Sequence, residues 1–490
     1  MSERQEDSRA SSLRAALLVL EGYAYLLAIV ALFVGMCAFL VWGIYERKPL
    51  VGLAAIVGGV PVVMLASALV RALVFRVPEV EGIELTSSAA PQLFELVEEL
   101  RRRVGAPRVH RVVIGPTLQA SAIQSPRLGF FRPRNTLLIG YPLLVLFSDK
   151  QLRAVVAHEL AHLGRAHGRV AHWIYRTQLS WRRLIGVLTE RQAVPIFVYW
   201  LARVYIPRLE RHSAGIGREQ ERFADRCAAD AAGSRAAAEA LVASELGARV
   251  LRESFWPAAV DVRQTDLPRP YTRMRSELRL VDDDASTDAL AEILGDVTHA
   301  TDSHPALAER LAALGERAAI PVTSAPGAGE ELLGEQMHAL ASRLDAEWQH
   351  AHGDAWRTKS NSDHDQRARL ASLEAQTSLS AAEMFERATL LEALDGPDAA
   401  LPVYQAALEA DQRHAGAALA AGRILLERDD DSGAVLVERA VEADETLLPD
   451  AAELLVSFHR AHRRLVEAER WRRRAGKQAV LARIHEVTPS

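Results

Sequence analysis

The chain has 490 residues, too many for one compact core, which sets aside a single-domain reading and predicts two or three domains. A formal net charge of -5 gives no global basic field, so no DNA or RNA partner is expected. The two cysteines, Cys37 and Cys227, stand far apart, which excludes a disulfide framework or a cysteine-rich zinc module and places the soluble part in a reducing compartment.

After a tail over 1–21, residues 22–44 carry no charge and are long enough to cross a bilayer as a helix. Residues 51–70 are also uncharged, and the short YERKPL between the two runs predicts a transmembrane helical hairpin over 22–75. A cleaved signal peptide fits poorly: the first run is too long, lacks a small-residue cleavage pattern and leads straight into a second span. Arg4, Arg9, Arg14, Arg71 and Arg76 flank the hairpin and outnumber Arg47 and Lys48 in its turn. By the positive-inside rule, the expectation is a two-span integral membrane protein whose domain after the hairpin faces the cytoplasm, with the lipid bilayer as a partner.

The loop PRLGFFRPR, residues 126–134, is read as a simple turn, the alternative being two phenylalanines that dip into lipid headgroups. Next comes LRAVVAHELAHL, in which Leu152, Val155, Val156, Leu160 and Leu163 fall at helical spacing, with Ser148 or Asp149 as a cap. Residues four apart on a helix differ by about 40° around the axis, so His158 and His162 can aim their imidazoles at one point. That suits two corners of a tetrahedral zinc site, and Glu159, projecting beside the metal, has the natural role of general base. The alternative is a buried helix with solvated histidines. His167 is out of register for the histidine ligand of the longer metzincin pattern, since Arg165 and Gly168 stand where Gly and His would be needed.

Residues 171–210 contain a short apolar part ending in Arg203 and Arg208, which predicts an amphipathic helix pair over the site or at the bilayer surface rather than a third span. A third protein ligand is sought in REQERFADRCAAD, residues 218–230. Glu221 and Asp225 lie one turn apart, so the first can bind metal while the second accepts an N–H bond from a ligand histidine. Glu219 and Asp230 are competitors, and a solvated charged face is the alternative for any one of these acids. Beyond SAPGAGEE, residues 324–331, the composition turns to Ala, Leu, Glu and Arg at helical spacing. AALEAD at 406–411 recurs as RAVEAD at 439–444, and LLE at 390 recurs at 425, offsets near those of tetratricopeptide helix pairs. A plain helical bundle is the alternative; either offers a helical surface for protein partners or unfolded peptide.

The motifs between roughly residues 80 and 314 resemble the HtpX-like membrane zinc endopeptidases, a group that includes the zinc-type CAAX prenyl proteases. VEGIELTSSAAPQLFELVEELRRRVGAPRVHRVVI resembles the entry segment, and NTLLIGYPLLVLFSDKQLRAVVAHELAHLGRAHG looks like the strand, helix and metal helix. ERFAD looks like Glu-x-x-Ala-Asp, and SHPALAERLAAL like the late His-Pro segment with its following Arg. The resemblance implies one zinc ion held by His158, His162 and Glu221, Glu159 as base, and Asp225 as support behind a ligand histidine. It also implies that His304 sits near the site and steadies the oxyanion, with Arg310 supporting it; otherwise His304 and Pro305 start a helix. The family often has Asn-Ala-Phe on the substrate edge strand, where this chain has Ser121, Ala122 and Ile123, so backbone pairing survives and any role of the Asn amide does not.

The expected fold is therefore mostly α. It comprises the hairpin, an α+β zincin-type (gluzincin) metalloprotease domain with a small sheet over 76–323, a helical linker over 324–375 and a repeat domain over 376–490. The expected function is endopeptidase action on membrane or misfolded proteins through a Glu-activated water on zinc. The alternative is a membrane-tethered repeat scaffold whose peptidase domain is inactive or latent.

Overall fold

The computed structural model describes residues 81–125, 134–164, 205–299, 304–321 and 327–487, with scattered positions across 17–46 and at 203, 302 and 323. By packing, the chain divides into two units, Met1–Val260 with Pro268–His350, and Asp261–Leu267 with Ala351–Ser490.

The first unit is built on a four-stranded sheet in the order β1 (Ile83–Leu85), β2 (Arg111–Gly115), β4 (Arg134–Gly140), β3 (Ala120–Ser125). β1 and β2 run antiparallel, β2 and β4 parallel, and β3 lies antiparallel to β4 with Ala122 opposite Leu137. Val112, Ile114, Leu137 and Ile139 are buried in one core with Leu93, Leu96 and Leu100 of α1 (Pro91–Val104). β-branched and aliphatic residues dominate β2 and β4 because both strands sit inside the sheet. β3 is left at the edge.

From β4 the chain passes through α2 (Tyr141–Leu146) into α3 (Asp149–Leu163). Ser148 caps α3: its side chain accepts the Gln151 N–H while the Gln151 side chain accepts the Ser148 N–H. Leu152, Val156, Ala157 and Leu160 are buried, as the helical spacing predicts, and Val155 and Leu163 are half-buried against the same core. α3 packs on α4 (Ile206–Ala232) and α5 (Ser234–Val250). The carboxyl end of α4 is capped by Arg103 of α1, which donates to the carbonyls of Asp230 and Ala231. At its other end Tyr205 is buried and donates its hydroxyl to the Leu18 carbonyl at 2.8 Å.

α6 (Pro270–Glu277), α7 (Asp284–Leu294), α8 (Leu307–Leu314), α9 (Ala328–Leu333) and the start of α10 (Gln336–Glu374) complete this unit. The expected break after residue 323 is displaced: Met337, Leu340, Ala341 and Leu344 are buried in the same core as the sheet, so the unit continues through His350. Composition alone hides this, because α10 is one uninterrupted helix across the boundary. Asp345 of α10 is buried, and it accepts the N–H groups of Tyr271 at 2.7 Å and Thr272 at 3.1 Å and the Thr272 hydroxyl at 2.5 Å. It thereby serves α6 as a cap supplied from a distant helix, the position before α6 being Arg269 with no side-chain cap of its own. Replacing Asp345 by alanine strands these donors and is expected to lower stability by about 1–3 kcal/mol, read as a shift in the denaturant midpoint.

The first apolar run is helical at its described positions, and Leu27, Val34, Phe39, Val41 and Trp42 on it are exposed. The second, 51–70, lies outside the described residues, as do the loop at 126–133, His167 and most of 171–202. Among the described residues no helix is long and apolar enough to cross a membrane.

The second unit is helical. α11 (Ala381–Asp395) packs on α12 (Pro397–Ala410), α13 (Ala415–Glu427) on α14 (Ser432–Ala443), and α15 (Leu448–Ala461) on α16 (Leu465–Val487). α13 and α14 approach closely at glycines: a Cβ on Gly433 would lie 2.5 Å from the Gly422 carbonyl oxygen. The turn inside each pair carries a positive φ, at Gly396, Asp429 and Arg463. Successive turns are joined by ion pairs, Arg428 with Asp398 and Arg464 with Asp431.

Candidate metal centre

α3 carries His158 and His162 on adjacent turns and α4 presents Glu221, so that one donor atom from each residue falls within 4.8 Å of the others. The Nε2 atoms of the two histidines are 3.1 Å apart. Glu221 is buried, with Oε2 3.5 Å from His158 Nε2 and Oε1 3.6 Å from His162 Nε2. Glu219 and Asp230, the competing acids on the same helix, are exposed.

Asp225, one turn beyond Glu221, sits 3.1 Å from His158 Nδ1. That bond places the ring proton on Nδ1 and turns the Nε2 lone pair toward His162 and Glu221. Arg310 of α8 in turn donates to Asp225 through Nε at 2.9 Å and Nη2 at 2.6 Å, a two-point clasp. Its Nη2 also lies 3.5 Å from Glu221 Oε2. Arg310 makes its side-chain hydrogen bonds to Asp225 and not to the His304 ring, so any support it gives His304 runs through α8, which starts at Leu307 and carries the guanidinium over α4. His304 precedes that helix rather than opening it, and its Nδ1 is 3.1 Å from Glu221 Oε1.

The electrostatics of the cluster favour a positive charge at its centre. Burial opposes charge on His158, but the carboxylates of Asp225 and Glu221 outweigh it and push the imidazole up to about 9. Burial likewise opposes charge on Glu221, yet His158, His304 and Arg310 hold its carboxyl far below the usual range. The same balance lowers Asp225 through His158 and Arg310. Glu221 Oε2 is a buried acceptor without a hydrogen-bond partner, facing His158 Nε2. Two imidazole nitrogens and a carboxylate oxygen that converge in this way fit a tetrahedral zinc ion with one position open.

Glu159 is half-buried beside the donors and not among them. Burial raises its carboxyl above the usual range. Its Oε2 accepts the backbone N–H of Ala122 at 3.3 Å. That contact puts the middle of Ser121, Ala122 and Ile123 over the carboxylate, on the strand that, among the described residues, forms the edge of the sheet. No side-chain pattern announces it, since the donor is backbone. Arg218 also escaped the sequence reading: one turn before Glu221, it donates to the carbonyl of Asp302 at 2.8 Å.

If Asp225 fixes the His158 tautomer, exchanging it for asparagine leaves the fold of α4 in place but weakens the lock and strips Arg310 of its counter-charge. Zinc affinity is expected to fall about 10–100-fold, measured by competition with a chromogenic chelator.

A two-histidine helix packed on a glutamate-bearing helix, beside a small sheet, brings together a donor set able to hold a metal ion next to a spare carboxylate. Residues 87–318, a little under half of the chain, match the model of the family described as Peptidase family M48. Within it, 80 residues are 35% identical to the protease HtpX homolog of Gemmatimonas aurantiaca, covering 16% of this chain and 27% of that protein. Another 31% identity over 84 residues links it to the protease HtpX homolog of Pseudarthrobacter chlorophenolicus, covering 17% of this chain and 27% of the relative. The matched stretch thus spans about a quarter of each curated relative.

Proposed function

We propose that the chain is a membrane-anchored, zinc-dependent endopeptidase acting on membrane or misfolded proteins. The observation that carries this reading is the convergence of His158, His162 and Glu221 beside a carboxylate, Glu159, that touches the backbone of an edge strand. Zinc held by those three residues supplies a Lewis acid that polarises a peptide carbonyl and makes water more acidic. Glu159 takes the proton of the attacking water and passes it to the leaving amine. Asp225 keeps the His158 ring in one tautomer, and Arg310 keeps Asp225 in place. His304, beside Glu221, steadies the oxygen that becomes negative. Peptide is taken up by strand addition at β3, where Ser121, Ala122 and Ile123 offer backbone groups.

The uncharged runs at 22–44 and 51–70 support a two-span anchor, and the arginines outside it support a catalytic unit on the cytoplasmic side. The regular positive-φ turns at 396, 429 and 463 support reading α11 to α16 as tetratricopeptide-like repeats that bind a protein partner or unfolded peptide. Zinc content and casein cleavage by the detergent-solubilised protein, compared with Glu159→Gln, test the reading. Stoichiometric zinc without Glu159-dependent cleavage of any peptide library would favour the membrane-tethered scaffold instead.

A further inference from the structure

His304 has 71% of its side chain open to solvent, yet its Nδ1 lies 3.1 Å from Glu221 Oε1. An imidazole with so few packing neighbours stays in one place only if its backbone is held. The loop that carries it is closed on itself: the Ala306 N–H donates to Thr298 Oγ1 at 2.8 Å, and the His299 N–H to Asp302 Oδ2 at 2.7 Å. These bonds join described positions of the loop to one another, and how long they persist depends on what holds the loop against α4. Two arginines fix the place. Arg310 clasps Asp225 on the carboxyl side of His304, and Arg218 reaches from α4 to the Asp302 carbonyl, two residues before it.

We propose that Arg218 is a positioning residue: its bond to the Asp302 carbonyl sets how closely the His304 imidazole stands to the metal donors. The proposal rests on the peptidase reading, in which His304 acts on the developing oxyanion. The charge on that oxygen is small in the bound peptide and large in the transition state, so a displaced His304 costs turnover rather than substrate binding. Arg218 and Glu221 share one helix face a single turn apart, so the tie measures the loop directly against the ligand it must approach. Lysine at 218 keeps one charged donor but not the guanidinium's reach and plane.

The experiment uses the full-length solubilised protein carrying Arg218→Met, Arg218→Lys, His304→Asn, or Arg218→Met with His304→Asn. In Arg218→Met the amides of His299 and Ala306 are expected to exchange hydrogen about tenfold faster, while zinc content and exchange in α3 stay unchanged. The kcat is expected to fall about 10–100-fold with KM within about twofold, and Arg218→Lys to recover part of the loss. Adding Arg218→Met to His304→Asn should cost nothing further, because the tie then positions a side chain already gone. Unchanged exchange at His299 and Ala306, or losses that multiply in the double variant, would overturn the proposal. Absence of Glu159-dependent cleavage in the unaltered protein would instead count against the peptidase reading, and the exchange measurement would still decide whether Arg218 holds the loop.

Discussion

Glu159→Gln is expected to cut peptide cleavage by about 10²–10⁴-fold while leaving zinc near one per chain. The amide is the same size as the carboxylate, and its oxygen can still accept the Ala122 N–H that Glu159 Oε2 accepts at 3.3 Å, so the strand and helix keep their spacing. What is lost is a group able to take a proton. Since Glu159 is not among the converging donors, the metal has no reason to leave. Parallel assays of cleavage and of zinc by atomic absorption separate the two effects, and unchanged cleavage would remove Glu159 from the chemistry.

Glu221→Ala is expected to do the reverse, emptying the site of metal and abolishing cleavage together. Two imidazoles remain, one short of the three protein ligands a catalytic zinc site uses. The loss of affinity should exceed the roughly 10–100-fold cost of removing an orienting partner, so zinc should dialyse away at neutral pH. Glu221 also lies against His304 and Arg310, so its removal takes the carboxylate away from His304 and leaves Arg310 with its clasp on Asp225. A circular dichroism spectrum and a melting curve are therefore needed beside the metal assay. Retention of full zinc by Glu221→Ala would mean that another acid supplies the third ligand.

Much of this centre was legible because helices repeat. The placing of His158, Glu159 and His162 on one side of a capped helix follows from spacing, whereas spacing on the second helix left Glu219 and Asp230 beside Glu221, and only the resemblance of ERFAD singled Glu221 out. That the two helices meet did not follow from periodicity; it came from the order of motifs that the chain shares with a peptidase family. The clasp of Arg310 on Asp225 joins residues far apart in sequence, and Arg218 and Glu159 use backbone groups as partners, which leave no mark in residue identity. The end of the first unit was misplaced for a related reason. Met337, Leu340, Ala341 and Leu344 read as one more apolar helix stripe, and only the three-dimensional core tells which neighbours that stripe faces.

If peptide is taken up by strand addition at β3, as proposed, the edge of that strand also decides what the site can see. What such an edge offers is backbone N–H and C=O groups, which every non-proline residue of every protein can answer, the Ala122 N–H itself being donated to Glu159. Discrimination at that point is therefore by state rather than by spelling. A segment already paired in its own helix or sheet has nothing to give, whereas the same segment, once loose, fits. The quantity measured at the entrance is how often a client chain comes undone, which makes an edge strand beside a base a detector of local unfolding.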